Sequence, residues 1–196
     1  MSAPKILVFA GSLRTGSLNR RLAGLAAAHL EAQGAAVTRL DLADHPLPLY
    51  DANLEGAEGV PAGGQVLHEL FRTHHGVFIA SPEYNANIPP LLVNVLAWVS
   101  RVSDHGGMAA AFGRPVFALG SASPGAFGGY RGLMVLRQML TLQLMARVLP
   151  PMASVAAAHE AFDEAGGLRN PRSNQMLTRV VAQLVEAAGQ GAARGA

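Results

Sequence analysis

Lys5-Ile-Leu-Val-Phe-Ala10 is an unbroken run of apolar, partly β-branched side chains that stops at Gly11 and passes through Ser12-Leu-Arg-Thr-Gly-Ser-Leu-Asn19 into a long Ala/Leu-rich segment. A strand apolar on both faces, a tight polar turn and a helix, in that order, make the first βα unit of an open parallel sheet. Such a turn aims backbone N–H groups and the positive end of a helix at one small volume. The hydroxyls of Ser12, Thr15 and Ser17, the amide of Asn19 and the guanidinium of Arg14 add side-chain donors there. Charge-assisted hydrogen bonds contribute roughly 1.5–3 kcal/mol each, so three or four of them would hold a phosphate dianion firmly.

Two other phosphate loops do not fit these residues. A Walker loop needs Lys and Ser/Thr after its last glycine, and Ser17-Leu18 stand there instead, so nothing grips a γ-phosphate. The dinucleotide fingerprint G-x-G-x-x-G is absent because Ser12-Leu13 follow Gly11. A monophosphate site, as on a mononucleotide, remains. The structural alternative is a polar turn in which Ser17 only caps the helix.

The βα pattern recurs along the chain. The first helix is expected from about Ser17 to Gln33, closed by Gly34. A second strand reads Val37 to Leu42, followed by an irregular, Pro- and Gly-rich stretch from His45 to Pro61. A short helix, Gly64 to Thr73, leads to a third strand, Gly76 to Ala80, and Pro89-Pro90 suit the start of a third helix. A fourth strand covers Pro115 to Gly120, a small-residue loop Ser121 to Gly129 and a fourth helix Tyr130 to Arg147. A weaker strand, Met152 to Ala157, and a last helix, Asn174 to Ala188, complete five units, with a frayed Gly/Ala tail after about residue 189. Residues 1–196 read as a single α/β domain: a flavodoxin-like three-layer fold with a five-stranded parallel sheet in order 2-1-3-4-5 and right-handed crossovers. In that order the loops leaving strands one and three open onto one crevice. Those loops are Gly11 to Asn19 and Ser81 to Ile88.

Composition narrows the function classes. The 196 residues are half hydrophobic, enough for one sizeable core. No apolar run approaches the ~20 residues of a membrane span. The first strand begins almost at Met1, which leaves no room for a signal peptide. With no cysteine there is neither a disulfide framework nor a thiolate nucleophile, and a cytoplasmic location is expected. The net charge is +2, and every basic residue except Lys5 is a scattered arginine, which argues against nucleic-acid binding. None of the seven histidines has zinc-protease spacing, since Arg72 stands where His68-Glu69 would need a second histidine.

The second loop has its own chemistry. Pro82 stiffens the end of the third strand, Tyr84 offers an aromatic surface and Asn85 a donor with an acceptor. Taken together, Gly11-Ser-Leu-Arg-Thr-Gly-Ser-Leu-Asn-Arg20, Pro82-Glu-Tyr-Asn85 before a Trp-containing helix, Gly128-Gly-Tyr-Arg131 and Leu136-Arg137 resemble the NADPH-dependent FMN reductase family, which includes quinone, azo-dye and chromate reductases. The resemblance implies a flavodoxin-like fold that binds FMN, usually as a homodimer or homotetramer with the flavin near a subunit interface. It implies that Ser12, Arg14, Ser17, Leu18 and Asn19 surround the FMN phosphate. Pro82, Glu83, Tyr84 and Asn85 would flank the ribityl chain and ring, and Ser121 with its neighbours would form a third wall.

The chain departs from the family pattern in the Trp helix. Val93 and Ala97 stand where the family commonly has Lys and Asp, and both exchanges turn a charged position apolar. The resemblance also implies hydride transfer from NADPH or NADH to FMN and on to a small-molecule acceptor, such as a quinone, an azo compound, a metal oxyanion or free flavin. In that scheme the protein supplies orientation and electrostatics, no catalytic acid or base is assigned, and ping-pong kinetics are expected. A flavodoxin-type electron carrier or FMN-binding sensor is the alternative, disfavoured by the slightly basic charge. A serine hydrolase fits poorly: in Ser121-Ala-Ser123-Pro-Gly125, Ser121 crowds the elbow and Pro124 has no N–H for an oxyanion.

Overall fold

A computed structural model describes residues 3–194. Strands β1 (Lys5–Ala10), β2 (Ala36–Leu40), β3 (Gly76–Ala80), β4 (Val116–Ala122) and β5 (Arg147–Val155) form one parallel sheet in order β2-β1-β3-β4-β5. Helices α1 (Leu18–Ala32), α2 (Ala52–Glu58), α3 (Ala62–Thr73), α4 (Pro90–Arg101), α5 (Tyr130–Gln138) and α6 (Pro171–Arg194) connect or follow the strands. The strand order and the three layers are those the alternating pattern predicts.

Both faces of the sheet are buried, which explains why β1 and β3 read as continuous apolar runs. Ile6, Val8 and Ala10 face one core with Phe78, Leu22 of α1, and Leu177, Val181 and Leu184 of α6. Leu7 and Phe9 face the other with Ile79, Phe71 of α3, Leu92 and Leu96 of α4, and Leu133 and Leu136 of α5. The alanines Ala23, Ala26 and Ala27 let α1 lie close to the sheet, and Gly120 allows the contact, since a Cβ there would stand 2.9 Å from the Phe78 ring.

Three departures from the sequence reading matter most. The stretch His45 to Pro61 is not wholly irregular: it holds α2, whose exposed surface gives no apolar stripe to read. Strand β5 begins at Arg147, not Met152, and the helix before it breaks into a π-helical turn over Met139–Gln143. Pro150 and Pro151 hide the strand, because proline interrupts a ladder unless it sits at an edge or bulge. Here it does both: β5 is the sheet edge, and the register shifts between the Phe117–Val148 and Leu119–Met152 pairs. The carbonyls freed at that irregularity are satisfied by Arg137, which donates to Leu149 O (2.8 Å) and Pro150 O (2.9 Å). Finally, α6 runs from Pro171 through Arg194, so the chain remains helical beyond Ala188, and only residues 195 and 196 of the expected tail lie outside the described residues.

Candidate functional site

The turn after β1 is built to present donors. The Ser17 N–H donates to Arg14 O (3.1 Å), closing a four-residue turn whose third residue, Gly16, has φ +67°, a conformation that favours glycine. Ser17 then caps α1, its hydroxyl accepting from the Arg20 N–H (3.3 Å). The N–H groups of Leu18 and Asn19, in the first helical turn, have no partner within the helix and sit at its positive end. Ser12 is buried and its hydroxyl accepts from the Arg14 N–H (3.3 Å). Arg14 is exposed and its guanidinium has no hydrogen-bond or ion-pair partner among the described residues. Ser12, Arg14, Ser17, Leu18 and Asn19 line a cavity of about 240 Å³, with Pro82, Glu83 and Tyr84 opposite.

Two residues expected to face a ligand are committed elsewhere. The buried Asn19 side chain pairs with the backbone of Ala122, donating to its carbonyl and accepting from its N–H, both at 2.9 Å. It joins the start of α1 to the end of β4. Glu83 accepts from the Gly132 N–H (2.9 Å) and from Arg131 at Nε (3.1 Å) and Nη2 (2.5 Å). Burial pushes its carboxyl up, but the Gly132 N–H and Arg131 outweigh that and hold it below the usual carboxylate range. Glu83 therefore ties its loop to α5 and leaves no free negative charge in the crevice.

That loop is a two-residue hairpin. Tyr84 and Asn87 exchange backbone hydrogen bonds (3.1 and 2.9 Å) around Asn85 (φ +52°) and Ala86 (φ +59°), as a type I′ turn requires. The turn leaves Tyr84 about half exposed, on the border between the 240 Å³ cavity and a larger cleft.

The third wall is displaced by a few residues from the expected one. Ser121 is fully buried and its hydroxyl finds no partner among the described residues. It is sealed under Gly129, where an added Cβ would stand only 1.9 Å from Ser121 Oγ. Ala122, Ser123 and Pro124 line the cavity instead. The Ser123 hydroxyl accepts from the Gly125 N–H (3.3 Å), which makes it part of a local turn. Burial of Ser121 follows from its place in β4, which runs on to Ala122, two residues past the predicted Gly120.

The larger cleft, about 940 Å³, was not legible in the sequence. Its lining includes Leu49, Tyr84, Asn85, Val93, Asn94 and Ala97. The segment before α2 straps across α4: Asn94 accepts from the Tyr50 N–H (2.8 Å) and donates to Pro48 O (2.9 Å), and the Trp98 indole donates to the same carbonyl (2.8 Å). Tyr50 packs edge-on against the buried Trp98, ring centres 5.1 Å apart. Val93 and Ala97, where the family commonly carries charges, face this cleft.

A parallel sheet in this order, with a donor-rich turn after β1 and an aromatic hairpin after β3 meeting at the switch between those two strands, defines a flavodoxin-like protein. Solved structures bear out that fold. FerB, a flavoenzyme NAD(P)H:(acceptor) oxidoreductase from Paracoccus denitrificans, superposes with a TM-score of 0.78 at 23% identity, over 96% of this chain and 99% of that one. A flavodoxin variant from Pseudomonas aeruginosa superposes at 0.53 and 15% identity, over 94% and 99%.

The chain belongs to the NADPH-dependent FMN reductase family, whose model matches residues 4–160. It is 37% identical over 140 residues to a quinone reductase of Escherichia coli K12, covering 69% of each chain. It is 32% identical over 176 residues to an NAD(P)H-dependent FMN reductase of Pseudomonas aeruginosa, covering 88% of this chain and 89% of that one. The protein is accordingly an NAD(P)H-dependent FMN reductase, with FMN as cofactor and NAD(P)H as co-substrate.

Proposed function

We propose that this chain passes electrons from NAD(P)H, by way of FMN held between the loops after β1, β3 and β4, to a quinone. The carrying observation is the donor set of the 240 Å³ cavity: Arg14, the Ser12 and Ser17 hydroxyls and two N–H groups at a helix start, all without an acceptor among the described residues, with the one carboxylate among the described lining residues, Glu83, neutralised by Arg131. That arrangement fits a phosphate. Tyr84, half exposed beside it, offers an uncharged flat surface to a planar ring.

When bound, FMN supplies the two-electron chemistry that no side chain here can supply. The residues orient and hold. Arg14 and the Ser12 and Ser17 hydroxyls bind the phosphate, assisted by the Leu18 and Asn19 N–H groups; the Asn19 side chain and Glu83 fix the geometry without touching it. Pro82, Tyr84 and Asn85 flank the ribityl chain and ring, while Ser121 lies buried beneath Gly129 at the base of the third loop. The neighbouring cleft, in which Glu83 is the one charged lining residue among those described, suits an uncharged acceptor such as a quinone better than a metal oxyanion.

Exposed Phe127, Tyr130 and Met134, on and just before α5, support a homodimer or homotetramer. A donor of the NAD(P)H type and a chain without cysteine suit a cytoplasmic setting. Anaerobic addition of NADPH to the FMN-loaded protein is expected to bleach the flavin band, and a quinone to restore it. A band that stays in the presence of NADPH and NADH would refute the reading.

A further inference from the structure

Leu49 is 81% exposed, yet it sits on a strap that is firmly anchored on either side. Pro48 O accepts from both the Asn94 amide and the Trp98 indole, the Tyr50 N–H donates to Asn94 Oδ1, and the Tyr50 hydroxyl donates to Glu55 (2.8 Å). A large apolar side chain on a loose loop needs no explanation, but one held in water by four hydrogen bonds on its neighbours does. Across the cleft stand Tyr84, 49% exposed, and Val93, 38% exposed. The lining between them carries one charge, on Glu83, which is already paired.

We propose that Leu49 is a specificity-determining residue, a fixed apolar lip against which an uncharged planar acceptor packs, and that Asn94 is the positioning residue that holds it there. The proposal rests on the reductase reading above and names what that site selects. An acceptor seated between Leu49, Val93 and Tyr84 removes their exposed apolar surface from water. An anionic acceptor would instead lose hydration without finding a free cation among the described lining residues. Asn94 acts at one remove: its amide fixes the backbone of Pro48 and Tyr50 on either side of Leu49.

The test compares FMN-loaded wild type with Leu49→Ser and Asn94→Ala, using 2-methyl-1,4-naphthoquinone and a sulfonated 1,4-naphthoquinone as acceptors. Each variant is compared with wild type on the same acceptor, so differences in acceptor potential cancel. Leu49→Ser is expected to raise KM for the neutral quinone about tenfold more than for the sulfonated one, with the effect in KM and not in kcat. Asn94→Ala should shift the selectivity the same way and speed hydrogen exchange at the Tyr50 amide. Equal effects on both acceptors, or none on either, would overturn the proposal. If wild type reduces neither quinone, the quinone reading has failed. Titrating the neutral quinone into wild type and Leu49→Ser, followed by Trp98 fluorescence, then decides the Leu49 site, and an unchanged Kd refutes it.

Discussion

Asn19 and Ala122, 103 positions apart, share two hydrogen bonds of 2.9 Å in which one side-chain amide satisfies both polar groups of a buried peptide unit. This clamp sets the distance between the helix that ends the phosphate turn and the loop that walls it. Asn19→Ala leaves the Ala122 N–H and carbonyl unpaired, at an expected cost of about 2–4 kcal/mol. Asn19→Asp keeps the acceptor but sets a buried carboxylate oxygen against the Ala122 carbonyl, so chemical denaturation should place it well below wild type.

Arg14 tests the phosphate site without that structural cost, because it is exposed and unpaired among the described residues. Arg14→Ala is expected to weaken FMN binding by about 1.5–3 kcal/mol, a roughly ten- to hundredfold loss, with the apoprotein melting point unmoved. Flavin fluorescence titration measures the first and circular dichroism the second. An unchanged FMN affinity would remove Arg14 from the site.

Glu83 should behave as a tether. Its carboxyl lies below the usual range in the folded chain, so its contribution is full above the unfolded pKa near 4.5 and is lost as pH falls through the lower folded value. Glu83→Gln keeps an acceptor for the Gly132 N–H but not the Arg131 pair, and Glu83→Ala keeps neither. FMN affinity is expected to fall in the order wild type, Gln, Ala, with the acid limb of the stability profile flattened in both variants.

His74 governs a different pH range. Its ring bridges Leu70 O (2.6 Å) and the Thr38 hydroxyl (2.8 Å), joining α3 to β2, and burial holds its pKa below 6.5, with Lys5 and His75 adding repulsion and the Leu70 carbonyl opposing them. Below pH 6.5 the unfolded chain binds a proton that the folded one refuses, so stability drops as pH falls from 6.5 toward the folded value. Melting points measured across that interval should decline in wild type and decline less in His74→Gln.

Ala86 is a non-glycine residue at φ +59° in the hairpin turn. Ala86→Gly removes that strain, and after the added backbone freedom of the unfolded chain the net gain is expected to be about 0.5–1 kcal/mol. For a chain of this length that is a rise of about 1–4 °C in melting temperature. A fall would show that the alanine methyl makes contacts worth more than the strain.

The alternation of strands and helices was readable from local chemistry, and the order 2-1-3-4-5 followed from the architecture that five such units suit. Runs such as Lys5–Ala10 and Gly76–Ala80, each short, apolar on both faces and closed by a polar turn, read as central parallel strands, and the donor-rich composition of the turn at Gly11–Asn19 is visible before any tertiary contact is known. Strand β5 was less legible, because its prolines are tolerated only by virtue of an edge position and the arginine that reaches them from α5. The assignment of roles within the site was not local at all. Whether an asparagine or a glutamate faces a ligand depends on which partner the fold brings to it, and here Ala122 and Arg131, 103 and 48 positions away, claim Asn19 and Glu83. The cleft is the extreme case. Nothing marks Leu49 in the sequence, since a lip exists only once Asn94 and Trp98 have fixed the backbone on either side of it, and hydrogen bonds between distant segments leave no periodic trace in the chain.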